Sequence, residues 1–433
     1  MKILLTGATG FIGRRLHAAL LAAGHEVACV GRRRPPDHPG PWITLDFAQA
    51  TSAAQWRPHL RGIDAVVNTV GILREQDAQR FDTLHVKAPC ALFDACAEAG
   101  VRRVVQLSAL GADEQAATAY HRSKKAADDH LLALGLDAVV AQPSLVFGED
   151  GPSAQLFLGL ASLPLLPLPA GGHQPLQPVH VDDAVQALRA LVEAPAGRWR
   201  GKRVALVGPE PITLSGYLRA LRAALGWPRA PALPVPAALM RLAARVGDRW
   251  PRGLIDSASW QMLQRGNSAL ADDIRQLLGH APREVLRFIA PPQRALLRLR
   301  SAMGWLQPVL RGSVALVWLV TAAVSLGLYP VAQSYELLAR TGVPPALQPL
   351  MLYGAAGLDL LLGVLTLAPL RARARRLLWL GQAGLIVLYT VIISGRLPEF
   401  WLHPYGPLLK NLPMLGVLLL LYTLEPDPTE PSA

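Results

Sequence analysis

Over the first 150 residues, short and nearly uninterrupted apolar runs alternate with stretches whose apolar positions recur at helical spacing. Residues 3–5, 26–30, 65–68, 104–107 and 138–141 read as strands. Apolar runs of this kind suit a parallel sheet covered on both faces. Helices are expected from Arg14 onward, over 88–99 with Gly100 as terminator, and from near Tyr120 to Leu134 with Gly135 as terminator. This strand–helix alternation predicts an α/β, doubly wound sheet.

The pattern changes twice. Proline-rich loops at 163–169 and 228–236 separate helical pieces. Asp182-Asp183 looks like a helix start with an aspartate as cap, and 204–207 reads as a late strand. A small substrate lobe is expected here. After Gly312 the chain turns apolar: 312–335 and 377–395 carry no charge, and 343–370 carries only Asp359. Each run reaches the roughly 18–20 residues that cross a bilayer. A fourth run, 411–424, suffices only if it begins near Pro404. The expected organisation is 1–150, an α/β core; 151–300, the rest of the sheet and a smaller lobe; and 301–433, an all-α bundle with spans near 312–335, 347–370, 377–395 and 405–424.

Composition sharpens this picture. Hydrophobic residues make up 51% of the 433 and charged ones 17%, more apolar than an ordinary soluble enzyme. The net charge of +12 comes from arginines that are scattered or flank the apolar runs. No basic helix with interleaved aromatics is present, so a membrane surface is expected as partner and nucleic acid is not. Arg294, Arg298, Arg300 and Arg311 precede the first span, and Arg371, Arg373, Arg375 and Arg376 lie between the second and third. The positive-inside rule puts these segments, the N-terminal domain and the Glu425-Pro426-Asp427 tail in the cytoplasm of a multi-pass inner-membrane protein. The N-terminus does not read as a signal peptide. Cys29, Cys90 and Cys96 show no disulfide framework, and no metal-binding spacing is evident.

The chemistry begins at Thr6-Gly7-Ala8-Thr9-Gly10-Phe11-Ile12-Gly13, between a strand and a helix. Such a turn aims backbone N–H groups and a positive helix end at one point, which suits a pyrophosphate. Gly7 permits the turn, Gly10 lets the backbone approach the phosphates, and Gly13 lets helix and strand pack closely. The spacing resembles the short-chain dehydrogenase/reductase superfamily, in its extended and atypical branches. The resemblance implies a Rossmann-type sheet and a nicotinamide dinucleotide held by Gly7, Thr9, Gly10, Phe11, Ile12 and Gly13. Where an acidic residue would bind the ribose 2′-hydroxyl, Gly31-Arg32-Arg33-Arg34 stands instead. Arg32 and Arg33 accommodate a 2′-phosphate, which favours NADP(H) over NAD(H). Asp46 matches the position where relatives contact the adenine amino group, a helix cap being the other reading. Val70 and Gly71 follow the third main strand, at the sheet edge where the cofactor is expected. Pro143 and Ser144 resemble the family's loop beside the nicotinamide.

Tyr120 and Lys124 are four apart on one helix, so they share a face. A neighbouring ammonium is expected to lower the phenol pKa. With Ser108, which ends the preceding strand, they resemble the Ser-Tyr-Lys set of these dehydrogenases, in which tyrosine is the general acid or base. The 12-residue interval from Ser108 to Tyr120 resembles atypical members, including the NAD(P)H-binding accessory subunit of respiratory complex I. The C-terminal quarter, with His403-Pro404-Tyr405-Gly406-Pro407 before its last apolar run, looks like the DoxX-like membrane family. The expected function is a membrane-anchored oxidoreductase acting on a carbonyl or alcohol, with anchoring that points to a lipophilic substrate. The alternative is a non-catalytic nucleotide-binding assembly or sensor protein. Asp359 is a functional candidate by its place inside a span, or a partner of Arg340 or Lys410.

Overall fold

The computed structural model describes residues 1–426 except 77–78, 250–254 and 405. The chain divides into two compact units, Met1–Ser301 and Ala302–Ala433.

In the first unit, seven strands of the described residues form one parallel sheet. They are β1 (Lys2–Thr6), β2 (Glu26–Gly31), β3 (Trp42–Thr44), β4 (Ala65–Asn68), β5 (Arg103–Leu107), β6 (Ala138–Pro143) and β7 (Arg203–Leu206). Their order across the sheet is β7-β6-β5-β4-β1-β2-β3. The strand order therefore reverses between β1 and β4, where ligands bind in open α/β sheets. The apolar strands are buried because both faces are covered. Leu5, Val27, Val67 and Val105 pack with the Gly13–Ala22 and Val181–Glu193 helices; Leu4, Val66 and Val104 pack with the Ala88–Ala99 and Ala119–Ala133 helices.

Three strand ends at the reversal are joined by a buried polar chain. The Thr6 hydroxyl donates to Asn68 Oδ1 at 2.5 Å, and Asn68 Nδ2 donates to Gln106 Oε1 at 2.7 Å. Asn68 Oδ1 also accepts the Val70 N–H at 3.2 Å, which directs the chain leaving β4. The short strand β3 was not expected; it pairs with β2 through Trp42 and Thr44, and only its position on the sheet edge reveals it. Beyond β6, helices Pro152–Ser162 and Leu214–Ala224 build a lobe around Phe147, Tyr217 and Phe288.

Three helices among the described residues are long and apolar enough to cross a membrane: Pro291–Leu328, most of which lies in the second unit, and Pro345–Leu367 and Ala372–Arg396 within it. The first run ends at Leu328 rather than at 335, because Gly327 takes φ +139° and Pro330 follows. Residues Val331–Arg340 then form a separate helix. The fourth apolar helix, Asn411–Thr423, has 13 residues, too few to cross alone. Leu316, Leu350, Val391 and Leu419 are more than 60% exposed on these helices, a lipid-type exterior. Polar groups hold the interior together. Trp318 Nε1 donates to Gln382 Oε1 at 2.8 Å, and Gln382 Nε2 donates to Thr366 Oγ1 at 2.8 Å. Buried Glu425 pairs with Arg375 at 3.0 Å, so the acidic end of the fourth helix meets the arginine-rich start of the third span. Arg340 pairs with Glu399, not with Asp359 as one sequence reading had it.

The polar chain at the reversal yields a stability prediction. Asn68→Ala strips partners from buried Thr6 and Gln106, which costs about 1–3 kcal/mol. A lower thermal midpoint of the purified protein is the expected result; an unchanged midpoint contradicts the role given to Asn68.

Candidate functional site

The glycine turn sits at the carboxyl end of β1, against Thr69. Gly7 has φ +78°, and its O accepts the Gly10 N–H at 2.9 Å. A Cβ at Gly13 would stand 2.1 Å from Gly7 O, and one at Gly7 would stand 2.7 Å from Thr69 Oγ1. Neither position tolerates a side chain. At Gly10 an added Cβ would meet only Gly7 O, at 3.1 Å, and otherwise project into open space. The three glycines thus have different tasks: two allow backbone contact, and one keeps the rim of the turn bare. Phe11 in the turn packs against Gly148 and Gly151, where a Cβ would come within 2.6 and 3.0 Å of its ring.

Beside this turn a cavity of about 450 Å³ is lined by Thr9, Gly31, Arg32, Arg33 and Trp42. Arg32 and Arg33 are exposed, and no ion pair engages them among the described residues. Gly31 is required here because a Cβ would lie 2.5 Å from the Trp42 ring. Asp46 lies nearby in sequence, but its carboxylate closes a local turn, accepting the Ala48 N–H at 3.1 Å and the Gln49 amide at 3.3 Å.

Across the strand ends, Thr118 caps the Ala119–Ala133 helix and starts it so that Tyr120, Lys124 and Asp128 fall on one face. Lys124 is buried, and its ammonium donates to Val70 O at 3.1 Å and to Leu107 O at 3.2 Å. It therefore bridges the ends of β4 and β5, and two of its three hydrogens are used. Gly71 leaves room for it; a Cβ there would stand 2.9 Å from Nζ. Half-buried Tyr120 lies among the rings of Phe81, His85 and His121, with centroids 5.2–6.0 Å away. Burial, with Asp128 nearby, pushes the phenol up to about 12. The expected lowering by Lys124 does not occur, since the ammonium points to backbone carbonyls and the carboxylate opposes phenolate formation.

Ser108 is not free to face a substrate in this structure. Its hydroxyl donates to Asp128, and both residues are buried. Burial raises the Asp128 carboxyl above the usual range and lowers the Lys124 ammonium below its own, each charge partly countering the cost for the other. Asp128 escaped the sequence reading. Its interval of four from Lys124, itself four from Tyr120, was the available signal.

His85 was also missed. Its Nε2 accepts the Ile72 N–H at 3.0 Å, so its hydrogen belongs on Nδ1, which lies 2.9 Å from Ser123 Oγ. Ser123 Oγ in turn donates to Tyr120 O at 2.8 Å. Burial, then the Lys124 charge, holds the imidazole neutral down to about 2. Pro143 and Ser144 stand at the end of β6, where the Ser144 hydroxyl donates to Gln177 O at 2.6 Å. His180, not an aspartate, caps the Val181–Glu193 helix: its Nδ1 accepts the Asp182 N–H at 3.2 Å. Asp182 and Asp183 instead pair with Arg283, at 2.9 and 3.2 Å.

Residues 3–206 match the NAD dependent epimerase/dehydratase family, and residues 315–419 match the DoxX-like family. The chain is 28% identical over 198 residues to a ceramide reductase of Caulobacter vibrioides, a match covering 45% of this chain and 61% of that protein. It is 28% identical over 253 residues to mitochondrial NADH dehydrogenase (ubiquinone) 1 alpha subcomplex subunit 9 of Arabidopsis thaliana, covering 55% of this chain and 62% of that protein. The chain thus spans less than two thirds of the length of these relatives. Among solved structures it is similar to the UDP-glucuronic acid 4-epimerase of Bacillus cereus in complex with UDP-glucuronic acid and NAD. That likeness has a TM-score of 0.50 at 18% identity and covers 66% of this chain and 96% of the epimerase; it shows the fold. The chain joins an N-terminal epimerase/dehydratase-type domain to a C-terminal DoxX-like domain.

The His85 hydrogen bonds carry a pH prediction. The folded imidazole resists protonation while an unfolded one accepts a proton near its ordinary 6.5. The stabilising effect of neutral His85 is therefore complete above 6.5 and is lost as pH falls toward the folded value, by about 1.4 kcal/mol per pH unit. His85→Gln should show a shallower loss of thermal stability than wild type between about pH 6.5 and 5. Parallel curves for the two proteins would contradict it.

Proposed function

We propose that this chain is a membrane-anchored NAD(P)H-binding oxidoreductase of the atypical short-chain dehydrogenase type, acting on a carbonyl or alcohol. The observation that carries the reading is the convergence of a bare glycine turn, a cavity rimmed by two uncommitted arginines, and the Tyr120–Lys124 pair at the ends of β1, β2, β4 and β5. The turn fits a diphosphate: Gly10 presents backbone alone to the open side. A bound nicotinamide would supply hydride transfer. Gly7, Thr9, Gly10, Phe11, Ile12 and Gly13 would hold the dinucleotide, with Val70, Gly71, Pro143 and Ser144 around its nicotinamide half and Asp46 near its adenine. The remaining hydrogen of Lys124 would reach the ribose hydroxyls. Tyr120, kept protonated by its surroundings, would give its proton to a carbonyl oxygen, and Lys124 would hold the helix in place for that transfer.

Arg32 and Arg33 favour NADP(H), because a guanidinium pairs with a 2′-phosphate in a fork of charge-assisted hydrogen bonds. The similar Bacillus epimerase holds NAD, so the preference rests on these two side chains. The arginine clusters orient the apolar helices with the N-terminal domain in the cytoplasm at the inner membrane. Asn411–Thr423 acts as the fourth antiparallel element, its short span eked out by the preceding segment. An anchored site suits a lipophilic substrate such as a quinone, isoprenoid or lipid.

A second reading draws on Ser108. Its hydroxyl is committed to Asp128, which removes one donor from any substrate and favours a nucleotide-binding assembly or sensor role. Tyr120→Phe separates the two. An enzyme loses NADPH-dependent reduction of a carbonyl panel by about two orders of magnitude or more while keeping NADPH binding. A wild-type protein that binds NADPH but reduces nothing in the panel supports the second reading. Arg32→Ala with Arg33→Ala should weaken NADPH by about tenfold or more and leave NADH nearly unchanged, measured by fluorescence titration. Equal losses for both nucleotides would remove the case for NADP(H).

A further inference from the structure

Three side chains of metal-ligating type meet near Trp42, which lines the cavity beside the glycine turn, although they are 12 and 9 positions apart in sequence. His17 comes from the Gly13–Ala22 helix, Cys29 from β2, and His38 from the loop between β2 and β3. One donor atom from each lies within 4.8 Å of the other two. Cys29 is fully buried and His17 is 6% exposed; His38 is half-buried. The two imidazoles stack at 4.6 Å, and His38 meets the Trp42 ring edge-on at 4.7 Å.

The electronic demand of this cluster is unmet. The Nε2 atoms of His17 and His38 are both buried, and among the described residues neither has a hydrogen-bond partner. A buried polar atom left without a partner is costly, and ring stacking does not replace its missing partner. A cation accepting lone pairs from both rings and from Cys29, whose thiol would release its proton to solvent on binding, would satisfy them together. Two imidazole nitrogens and one sulfur make a donor set of borderline softness, suited to zinc or a similar transition ion and unsuited to magnesium or calcium. Metal–ligand bonds of about 2.0–2.3 Å place tetrahedral donors roughly 3.3–3.6 Å apart. With donors up to 4.8 Å apart, the cluster would close by about an ångström on binding.

We propose that His17, Cys29 and His38 form a three-ligand site for a zinc-class cation, with a fourth position open to water. His38 lies on the loop that begins with Arg32 and Arg33. The same loop folds back on β2, where Pro41 O accepts the Cys29 N–H at 3.0 Å, and Arg34 donates to His38 O at 3.1 Å. A cation there would pin the arginine-bearing loop to the first helix and the second strand.

The test uses full-length, untagged, reduced protein in detergent, stripped with a chelator and titrated with Co²⁺, then Zn²⁺. One Co²⁺ per chain should produce a thiolate charge-transfer band with tetrahedral visible bands, and Zn²⁺ should bleach both. Cys29→Ala should abolish the charge-transfer band, and His38→Gln should weaken Co²⁺ by about tenfold or more. His38 is half-buried on a loop, so its variant keeps the fold and decides the matter if Cys29→Ala does not fold. Absence of a thiolate band in wild type, or equal Zn²⁺ affinity in wild type and His38→Gln, overturns the site.

Discussion

The first unit depends on a contact that allows no side chain. Gly7 and Gly13 bring β1 and the first helix together so closely that a carbon at Gly13 would stand 2.1 Å from Gly7 O. This approach places the positive end of the helix close to the end of the strand. Thr69 closes the third side, its hydroxyl donating to Thr6 O at 2.7 Å. Everything proposed about the site is measured from that corner. The arginine loop, the Asn68 chain and the ends of β4 and β5 all lie on the same edge of the sheet because parallel strands end together.

A buried ammonium dominates the electrostatics of the opposite bank. Lys124 gives two hydrogens to backbone carbonyls of neighbouring strands and has Asp128 one helical turn away. Taking both charges out of water is costly, and each is tolerated because the other is present. The Ser108 hydroxyl belongs to this network. Burial, with Asp128 second, raises the Tyr120 phenol, which stays protonated near neutrality.

The second unit solves a different problem. Apolar side chains point outward, as they do where the solvent is lipid, and cannot by themselves choose helix neighbours. Trp318, Gln382 and Thr366 supply that choice through hydrogen bonds in the interior, and Glu425 fixes one end by pairing with Arg375. Asp359 is buried in the same bundle without a partner for its Oδ1.

Much of this was readable in one dimension, because strands buried on both faces are apolar throughout and helices end at glycines. Ala88–Ala99, Ala65–Asn68 and the spacing of Tyr120 and Lys124 required only periodicity and stop signals. The glycine turn and the uncharged C-terminal runs were equally plain, since backbone approach and bilayer thickness restrict composition itself. Three-dimensional packing decided the rest. β3 exists because an edge position is available beside β2. The stop of the first apolar run at Leu328 was itself written locally, in Gly327 and Pro330, whereas His180 displaces an aspartate as cap while Arg283 pairs with both carboxylates. Asp128 with Ser108, His85 with Ile72, and the meeting of His17, Cys29 and His38 join residues from different elements. Local sequence encodes which segment forms and where it ends. Which polar atoms face one another is determined only when the segments close on a shared core, because hydrogen bonds and ligand sets act across distances that the chain order does not contain.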